Sequence, residues 1–400
     1  MTPVELSRTV LCAVRRAVDA GELTVPVPER AVVTAPGPGG CGDYATNVAL
    51  QLARPAGRPP RQVAEILRPH ITGAQGVTRV EITGPGFLNI TLAGGEEALV
   101  QEILRRGDRY GFIDEPLTDT EPPAETGPTT ETEHARKPVQ PIVQLHHPCE
   151  VRAAVTAQVV ARILRSQGAL VRTSCDSSRD SSCEAELDPA WAAPLGVTVD
   201  AHGDRPGAPA RVDIDPVDLV APVDLAEPVL LRPVPPTQDP TPLGRDAARW
   251  ALLHPAGHDR SRITADHLVQ RESNPLFRVR YAHARTRALT RNAAALGFTG
   301  AVGDVRNTHH DTHHAEDLLG ALAAYPHVLA AAARHRAPDR LARHLVVVAD
   351  ALLAVQHTVL PLGDEKPSAA HRARLALAEA AGTVLAGGLS LLGISAPDHL

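Results

Sequence analysis

The sequence predicts an α+β protein of several domains: a small α/β unit first, then a reduced parallel sheet, then a bundle of helices. Three patterns predict this. Helix and strand periodicities alternate over about the first 110 residues, one strand–helix–strand unit follows a Pro-, Thr- and Glu-rich stretch, and long amphipathic helices end the chain. With 400 residues, 43% of them hydrophobic, the chain has enough apolar material for two or three cores.

The first unit is assigned to residues 1–115, because apolar residues there recur first at helical and then at alternating spacing. Leu88, Ile90 and Leu92 alternate with polar residues, which predicts a strand with one buried face. The expected helices are 3–20, 59–69 and 95–106, and the expected strands are 31–34, 77–83 and 87–92.

The middle of the chain is predicted to be small. Residues 116–137 have no apolar period and read as a flexible linker. Within the assigned unit 138–240, a strand at 141–145, a helix at 150–167 and a further strand begin a Rossmann-like parallel sheet. The Ser-, Asp- and Pro-rich run that follows is typical of loops and edge strands, so we expect a remnant layer of three or four strands with one helix.

The last unit, residues 241–400, is predicted to be a helical bundle. Its apolar residues recur at three and four positions, and Gly393 is placed to stop the final helix. The expected helices are 243–254, 264–273, 275–295, 315–334, 339–360 and 369–392.

The helix 275–295 carries the densest positive charge in the chain. Asn274 is a candidate cap and Pro275 suits the first helical position. Helical spacing places Phe277, Tyr281, Ala284 and Ala288 on one narrow face, which we expect to be core. The same spacing places Arg280, Arg287 and Arg291 on one flank of that face, and Arg278 and Arg285 on the other. Such a helix could offer guanidinium groups to phosphates, although a solvated basic helix has the same pattern.

Net charge, apolar patterning and cysteine spacing restrict the kinds of partner and the location that the sequence allows. The formal net charge of −6 excludes a uniformly basic protein, so any contact with nucleic acid must come from a local basic patch. No stretch resembles a secretion signal, and none has about 18 consecutive apolar residues, so no membrane association is expected. Five cysteines without CxxC spacing predict neither a disulfide framework nor a zinc site. These features favour a cytoplasmic location.

Several phrases resemble the arginyl-tRNA synthetase family of class I aminoacyl-tRNA synthetases. GDYATNVALQLA and GPGFLNITL are similar to its amino-terminal domain, and YAHAR followed by the last three helices is similar to its DALR-type anticodon-binding domain. The resemblance implies that both ends of the chain bind RNA. The implied partner is a tRNA, for example an arginine isoacceptor, or a tRNA-like RNA, and no DNA partner is expected. The residues that it implies as RNA contacts are Asp43, Tyr44, Asn47, Phe87, Asn89, Arg278, Arg280, Tyr281, Arg285, Arg287 and Arg291.

The same resemblance implies a degenerate catalytic site. Aligned on Arg152, the four positions of the family's HIGH motif read His147, Pro148, Cys149 and Glu150, of which one is retained. Cys149 stands where the motif has glycine, and its side chain would intrude on the nucleotide. Glu150 stands where the motif has its second histidine, and its carboxylate would repel the phosphates. The family's KMSKS loop needs lysine, yet none occurs from residue 138 to residue 365. No cofactor is therefore expected, and ATP and Mg²⁺ would be needed only if the chain were active.

Four closely spaced histidines are candidate metal ligands. His309, His310, His313 and His314 contain pairs at i and i+4, which could bind a metal on a helix. The family comparison places them in a variable loop, so no metal site is predicted there.

Three functions remain open on the sequence. The first is a synthetase paralogue that binds tRNA without aminoacylating it. The second is a divergent, active arginine–tRNA ligase. The third is a protein-docking module that reuses the helical bundle.

Overall fold

The structure is a computed structural model that describes residues 3–34, 44–92, 95–113, 142–176, 188–203, 228–305 and 312–400. Asp43, the predicted linker 116–137, His309 and His310 lie outside these ranges.

The described part of the amino-terminal unit has four helices and one antiparallel sheet of order β1–β2–β4–β3. Its helices are α1 (Pro3–Asp19), α2 (Val48–Ala56), α3 (Pro60–Thr72) and α4 (Gly95–Arg106), and a 3₁₀ turn covers Gly107–Arg109. Its strands are β1 (Val33–Thr34), β2 (Tyr44–Thr46), β3 (Val77–Thr83) and β4 (Phe87–Leu92). The β3–β4 hairpin turns at Gly84 and Gly86, whose positive φ angles of 54° and 140° suit glycine. The helices and long strands expected for this unit are confirmed to within a few residues.

The middle unit is a four-stranded parallel sheet of order β7–β6–β5–β8. Its strands are β5 (Ile142–His147), β6 (Leu170–Cys175), β7 (Ala201–His202) and β8 (Val229–Leu230). Two helices, α5 (Val151–Ser166) and α6 (Pro189–Leu195), accompany them among the described residues. The expected remnant sheet is confirmed, with a second helix that the sequence analysis missed because α6 is short and contains prolines.

The carboxyl-terminal unit is the expected bundle. Its helices are α7 (Gly244–Leu253), α8 (Pro275–Ala295), α9 (Thr312–His335), α10 (Pro338–Val355) and α11 (Ala369–Leu392). The helix expected over 264–273 is wrong, because only the 3₁₀ turn Ala265–Leu268 forms there. A second 3₁₀ turn, Gln356–Thr358, replaces the expected end of α10.

Helix α11 lies at the centre of the bundle. By length and composition it could cross a membrane, yet 78% of its most apolar window is buried inside the protein. Gly382 and Gly388 let neighbouring helices approach closely, since a Cβ at Gly388 would lie 2.4 Å from Leu345 Cδ2. The hydropathy of α11 is therefore that of a core helix.

The two ends of the chain share one hydrophobic core. Tyr110, which follows α4, stacks on Tyr325 of α9 with ring centroids 6.0 Å apart, and its hydroxyl donates to Leu322 O at 3.2 Å. Burial raises the pKa of both tyrosines, so both rings stay neutral. The amino-terminal unit is thereby packed directly on the bundle.

Two buried arginines connect the middle unit to the bundle. Arg152 of α5 is 1% exposed and donates to five backbone carbonyls, those of Val234, Leu252, Pro255, Ala256 and Asp259. Arg249 of α7 donates to Leu195 O at 2.9 Å and to Leu392 O at 3.0 Å. Burial lowers the pKa of Arg249 to about 9. Arg249 is fully buried, and its guanidinium connects α7 to the ends of α6 and α11.

We expect Arg152→Ala to lower the free energy of unfolding by at least about 3 kcal/mol, since it leaves several buried carbonyls without a donor. Arg152→Lys should recover little of this, because an ammonium cannot span five acceptors. Urea denaturation followed by circular dichroism measures both. Arg15→Ala, on an exposed face of α1, is the matched control and should change stability by less than about 0.5 kcal/mol. An Arg152→Ala protein as stable as this control would contradict the assignment.

Acidification should also destabilise the fold. Burial lowers the pKa of His147, His254, His283, His327 and His344 below the ordinary value. Such groups protonate first in the unfolded chain, so stability is retained above about pH 6.5 and lost as the pH falls towards the folded-state values.

His344→Gln tests this sign. The Nε2–H of His344 donates to Ala321 O at 3.0 Å, and a glutamine amide can replace that donor without titrating. Between pH 7.5 and pH 5.5 the variant should lose less stability than the parent, by up to roughly 1.4 kcal/mol. An identical loss in both proteins would show that His344 does not titrate as expected.

Candidate RNA interface and the carboxyl edge of the parallel sheet

Helix α8 begins as the sequence predicts. Asn274 Oδ1 accepts from Leu276 N at 3.1 Å, and its amide donates to His267 O and Val269 O, both at 2.9 Å. One side chain thus caps the helix and fixes the 3₁₀ turn before it.

The expected core face of α8 is wrong in part. Of its four residues, Ala284 is buried, Phe277 and Ala288 are partly buried, and Tyr281 is 39% exposed. The residues that pack on the bundle are Leu276, Val279, Ala282, His283, Thr286, Leu289 and Ala293. Relative to the expected orientation the helix is rotated about its axis, because α10 and α11 cover this second stripe. The stripe includes the polar residues His283 and Thr286, so hydrophobic periodicity does not predict it.

The rotation leaves an aromatic pair at the surface. Phe277 and Tyr281 stack with centroids 5.6 Å apart and planes 21° apart. A partly exposed ring of this kind can stack on an unpaired base.

The first arginine flank faces the carboxyl-terminal segment of the chain. Arg287 Nε donates to Asp398 Oδ1 at 3.1 Å, and Arg291 Nη2 lies 3.4 Å from His399 Nδ1. Arg280 Nη2 donates to Ser395 Oγ at 3.3 Å and lies 3.7 Å from Asp246 Oδ2. The segment is itself fixed where the buried His283 Nδ1–H donates to Pro397 O at 2.9 Å.

The second flank faces α10. Arg278 forms an ion pair with Asp350, and Arg285 Nε donates to Gln356 Oε1 at 2.8 Å. The two flanks predicted from helical spacing lie on opposite sides of α8, and each of their five arginines contacts a polar group of the protein.

The pair between Arg287 and Asp398 is weak enough to be exchanged. The side chains of Arg287 and Asp398 are 56% and 61% exposed, and ion pairs so exposed contribute about 0–1 kcal/mol. A phosphate bound by two prongs of a guanidinium can replace a single carboxylate contact. The guanidinium of Arg287 is therefore accessible to an anion that replaces Asp398.

The amino-terminal candidates lie on β2 and β4. Tyr44 and Asn89 are buried, and Asn89 Nδ2 donates to Thr83 Oγ1 at 2.7 Å, so Asn89 supports the hairpin. Phe87 is 40% exposed at the start of β4, and Asn47 follows β2. Because Thr46 pairs with Leu88, Asn47 and Phe87 come to the same end of the sheet and are accessible there.

The carboxyl edge of the parallel sheet holds the residues aligned with the HIGH motif. Glu150 caps α5, with its carboxylate accepting from Arg152 N at 2.8 Å and from Ala153 N at 2.9 Å. These amides are the groups with which a helix amino terminus binds phosphate. The protein's own carboxylate occupies them.

The two histidines before this cap, His146 and His147, are buried. His146 lies between Ser174 Oγ at 2.9 Å and Asp176 Oδ1 at 2.8 Å. His147 Nδ1–H donates to Pro148 O at 2.8 Å, and burial lowers its pKa. Cys149 is exposed, and its sulfur contacts Cys175 of β6.

Two protein families match parts of the chain. The DALR anticodon binding domain matches residues 279–400, and the arginyl tRNA synthetase N terminal domain matches residues 5–92. The chain belongs to the arginyl-tRNA synthetase family.

Full-length relatives agree with this assignment. The arginine–tRNA ligases of Renibacterium salmoninarum and Frankia alni are 29% and 28% identical to this chain, with 100% of each chain covered. The fold is similar to that of the synthetases of Thermus thermophilus (TM-score 0.63, 15% identity) and Plasmodium falciparum (TM-score 0.60, 8% identity), each again covered in full.

This family member is much shorter than its relatives. The alignment with the Renibacterium protein extends over 564 positions, whereas this chain has 400 residues, so at least 164 positions have no counterpart here. The two family matches leave residues 93–278 between them, which is where the parallel sheet is reduced.

Sequence reasoning missed the partners of the arginines. Asp246, Asp350 and Asp398 are far from α8 along the chain, and only the bundle brings them to it. It also missed the approach of Cys149 to Cys175 and His202, since the spacing of these residues follows no motif.

The capping role of Glu150 can be tested directly. Glu150→Ala should lower the free energy of unfolding by about 1 kcal/mol, because two amides of α5 lose their acceptor. Glu150→Asp should keep most of that stability, since an aspartate is a good cap. Chemical denaturation at pH 7 measures both variants, and equal losses in the two would rule out a cap.

Proposed function

We propose that this protein binds tRNA through both ends of the chain and does not aminoacylate it. Under this proposal residues 1–115 and 241–400 hold the RNA, 138–240 are a reduced catalytic domain that connects them, and 116–137 are a linker. The RNA is a tRNA, with an arginine isoacceptor as the first candidate, or an RNA of similar shape. The proposed place of action is the cytoplasm.

The observation that carries the loss of catalysis is the Glu150 cap. In this protein the amides at the start of α5 already bind a carboxylate, and a nucleotide phosphate would have to displace it and overcome its charge. Cys149 adds a side chain at the same turn, and no lysine occurs from residue 138 to residue 365. The carboxylate adds charge repulsion, the cysteine adds a steric obstacle, and the missing lysine removes a cation, so each feature opposes the binding of a nucleotide's phosphates.

The proposed RNA surface combines charge with an aromatic platform. Arg280, Arg287 and Arg291 lie along one side of α8, and a phosphate can replace the exposed Asp398 carboxylate that contacts Arg287. Tyr281 stands exposed on the same helix. Phosphate contacts give affinity and the ring gives a contact to a base.

An active, divergent arginine–tRNA ligase is the second candidate. It is favoured by the relatives, which are named arginine–tRNA ligases and are covered over their full length. ATP–pyrophosphate exchange with arginine and tRNA present separates the two, because only a ligase that forms an adenylate gives a signal. Exchange well above that of a protein-free control would overturn the proposal that catalysis is lost.

RNA binding should depend on the first arginine flank. Replacing Arg280, Arg287 and Arg291 with Ala should weaken tRNA binding at least tenfold and reduce the slope of log affinity against log salt by about two to three, since each lost phosphate contact releases about one counterion fewer. Filter binding of labelled tRNA across a salt series measures both quantities.

The control is a triple variant of equal charge on another surface of the bundle. Arg334, Arg340 and Arg343 lie exposed at the turn between α9 and α10. Their replacement with Ala should change affinity much less. If both triple variants lose affinity equally, binding follows net charge rather than this face of α8, and if neither does, the face is wrong.

A further inference from the structure

Three parallel strands bring metal-binding side chains together at the carboxyl edge of the middle sheet. His147, Cys175 and His202 are register neighbours on β5, β6 and β7, because His147 pairs with Cys175 and Cys175 with His202. Cys149 follows β5 in the turn before α5. Residues far apart in the chain therefore meet at the edge where ligands of open parallel sheets bind.

Three donor atoms lie close enough to share one ion. Cys149 Sγ is 2.7 Å from Cys175 Sγ, and Cys175 Sγ is 3.1 Å from His202 Nδ1. Among the described residues, these three donor atoms form a cluster in which all lie within 4.8 Å of one another. Cys149 and His202 are exposed while Cys175 is buried, so the cluster is open to solvent on one side.

The donor set selects the kind of ligand. Two sulfurs and one imidazole nitrogen suit Zn²⁺, whereas Mg²⁺ and Ca²⁺ require oxygen ligands. With three protein donors the fourth tetrahedral position is left for water or another ligand, as in sites that keep a position open.

An ion would need only a small rearrangement. Zinc–sulfur distances of about 2.3 Å in a tetrahedron place two sulfurs nearly 4 Å apart, so the thiols must separate by about 1 Å. Cys149 can move because it is exposed and its sulfur is held by a single backbone acceptor, Asp176 O, at 2.9 Å. Burial raises the pKa of the Cys175 thiol, and a bound cation would displace its proton.

We propose that Cys149, Cys175 and His202 form a Zn²⁺ site at the edge of the sheet where the family's nucleotide site would lie. The site replaces phosphate-binding groups with thiolates and imidazole, so the same edge of the sheet takes a different ligand.

The test uses the reduced, full-length protein with Zn²⁺ and with Co²⁺ as a spectroscopic probe. We expect one equivalent of Co²⁺ to give thiolate-to-metal charge-transfer absorption and tetrahedral d–d bands, and Zn²⁺ to displace it. Cys149→Ser and His202→Ala should each weaken Zn²⁺ binding at least about tenfold. Both residues are exposed, so these variants should fold even if Cys175→Ser does not.

Cys12→Ser is the matched control, because Cys12 is an exposed cysteine of α1 outside the cluster. It should bind both metals as the parent does. The proposal is overturned if no stoichiometric charge-transfer band appears, or if Cys149→Ser and His202→Ala bind Zn²⁺ as tightly as Cys12→Ser. It is also overturned if mass spectrometry of protein purified under reducing conditions finds Cys149 and Cys175 joined as a disulfide.

Discussion

The buried guanidinium of Arg152 is the constraint on which the arrangement of the units depends. It donates to five carbonyls of residues 234–259, so the segment that enters the bundle is held against α5. A small sheet of four strands buries little surface of its own, and the hydrophobic cluster assigned to it alone has few members. Fastening α5 to the bundle, with Arg249 as a second tie, gives this sheet the support that a larger catalytic domain would supply internally.

That support explains how a shortened middle can persist in this family. The alignment with the Renibacterium relative has at least 164 further positions, yet β5, α5 and β6 form a parallel strand–helix–strand unit here. The turn before α5 supports the fold, since Glu150 caps α5 and His146 and His147 are buried. A carboxylate that completes a cap stabilises the helix and at the same time repels any phosphate that approaches the same amides.

The basic helix shows how an acidic protein carries a local cationic face. Its arginines are paired with Asp246, Asp350, Asp398 and His399, which come from three other parts of the chain. Pairing lowers the field that α8 presents to solvent, and the exposed pairs remain exchangeable. Under the proposed function, phosphates would compete with the protein's own carboxylates for the arginines of this face.

The sequence by itself determined the order of the units, most helix bounds, the Asn274 cap and the two arginine flanks, because periodicity and capping act over a few residues. Only the tertiary structure decided which stripe of α8 is buried, since Thr286 and His283 pack inside while Tyr281 does not. It also decided that Arg152 and Arg249 are internal ties and that Cys149, Cys175 and His202 meet. These outcomes depend on contacts between residues tens to more than a hundred positions apart, and no local pattern encodes which distant groups a buried side chain will meet.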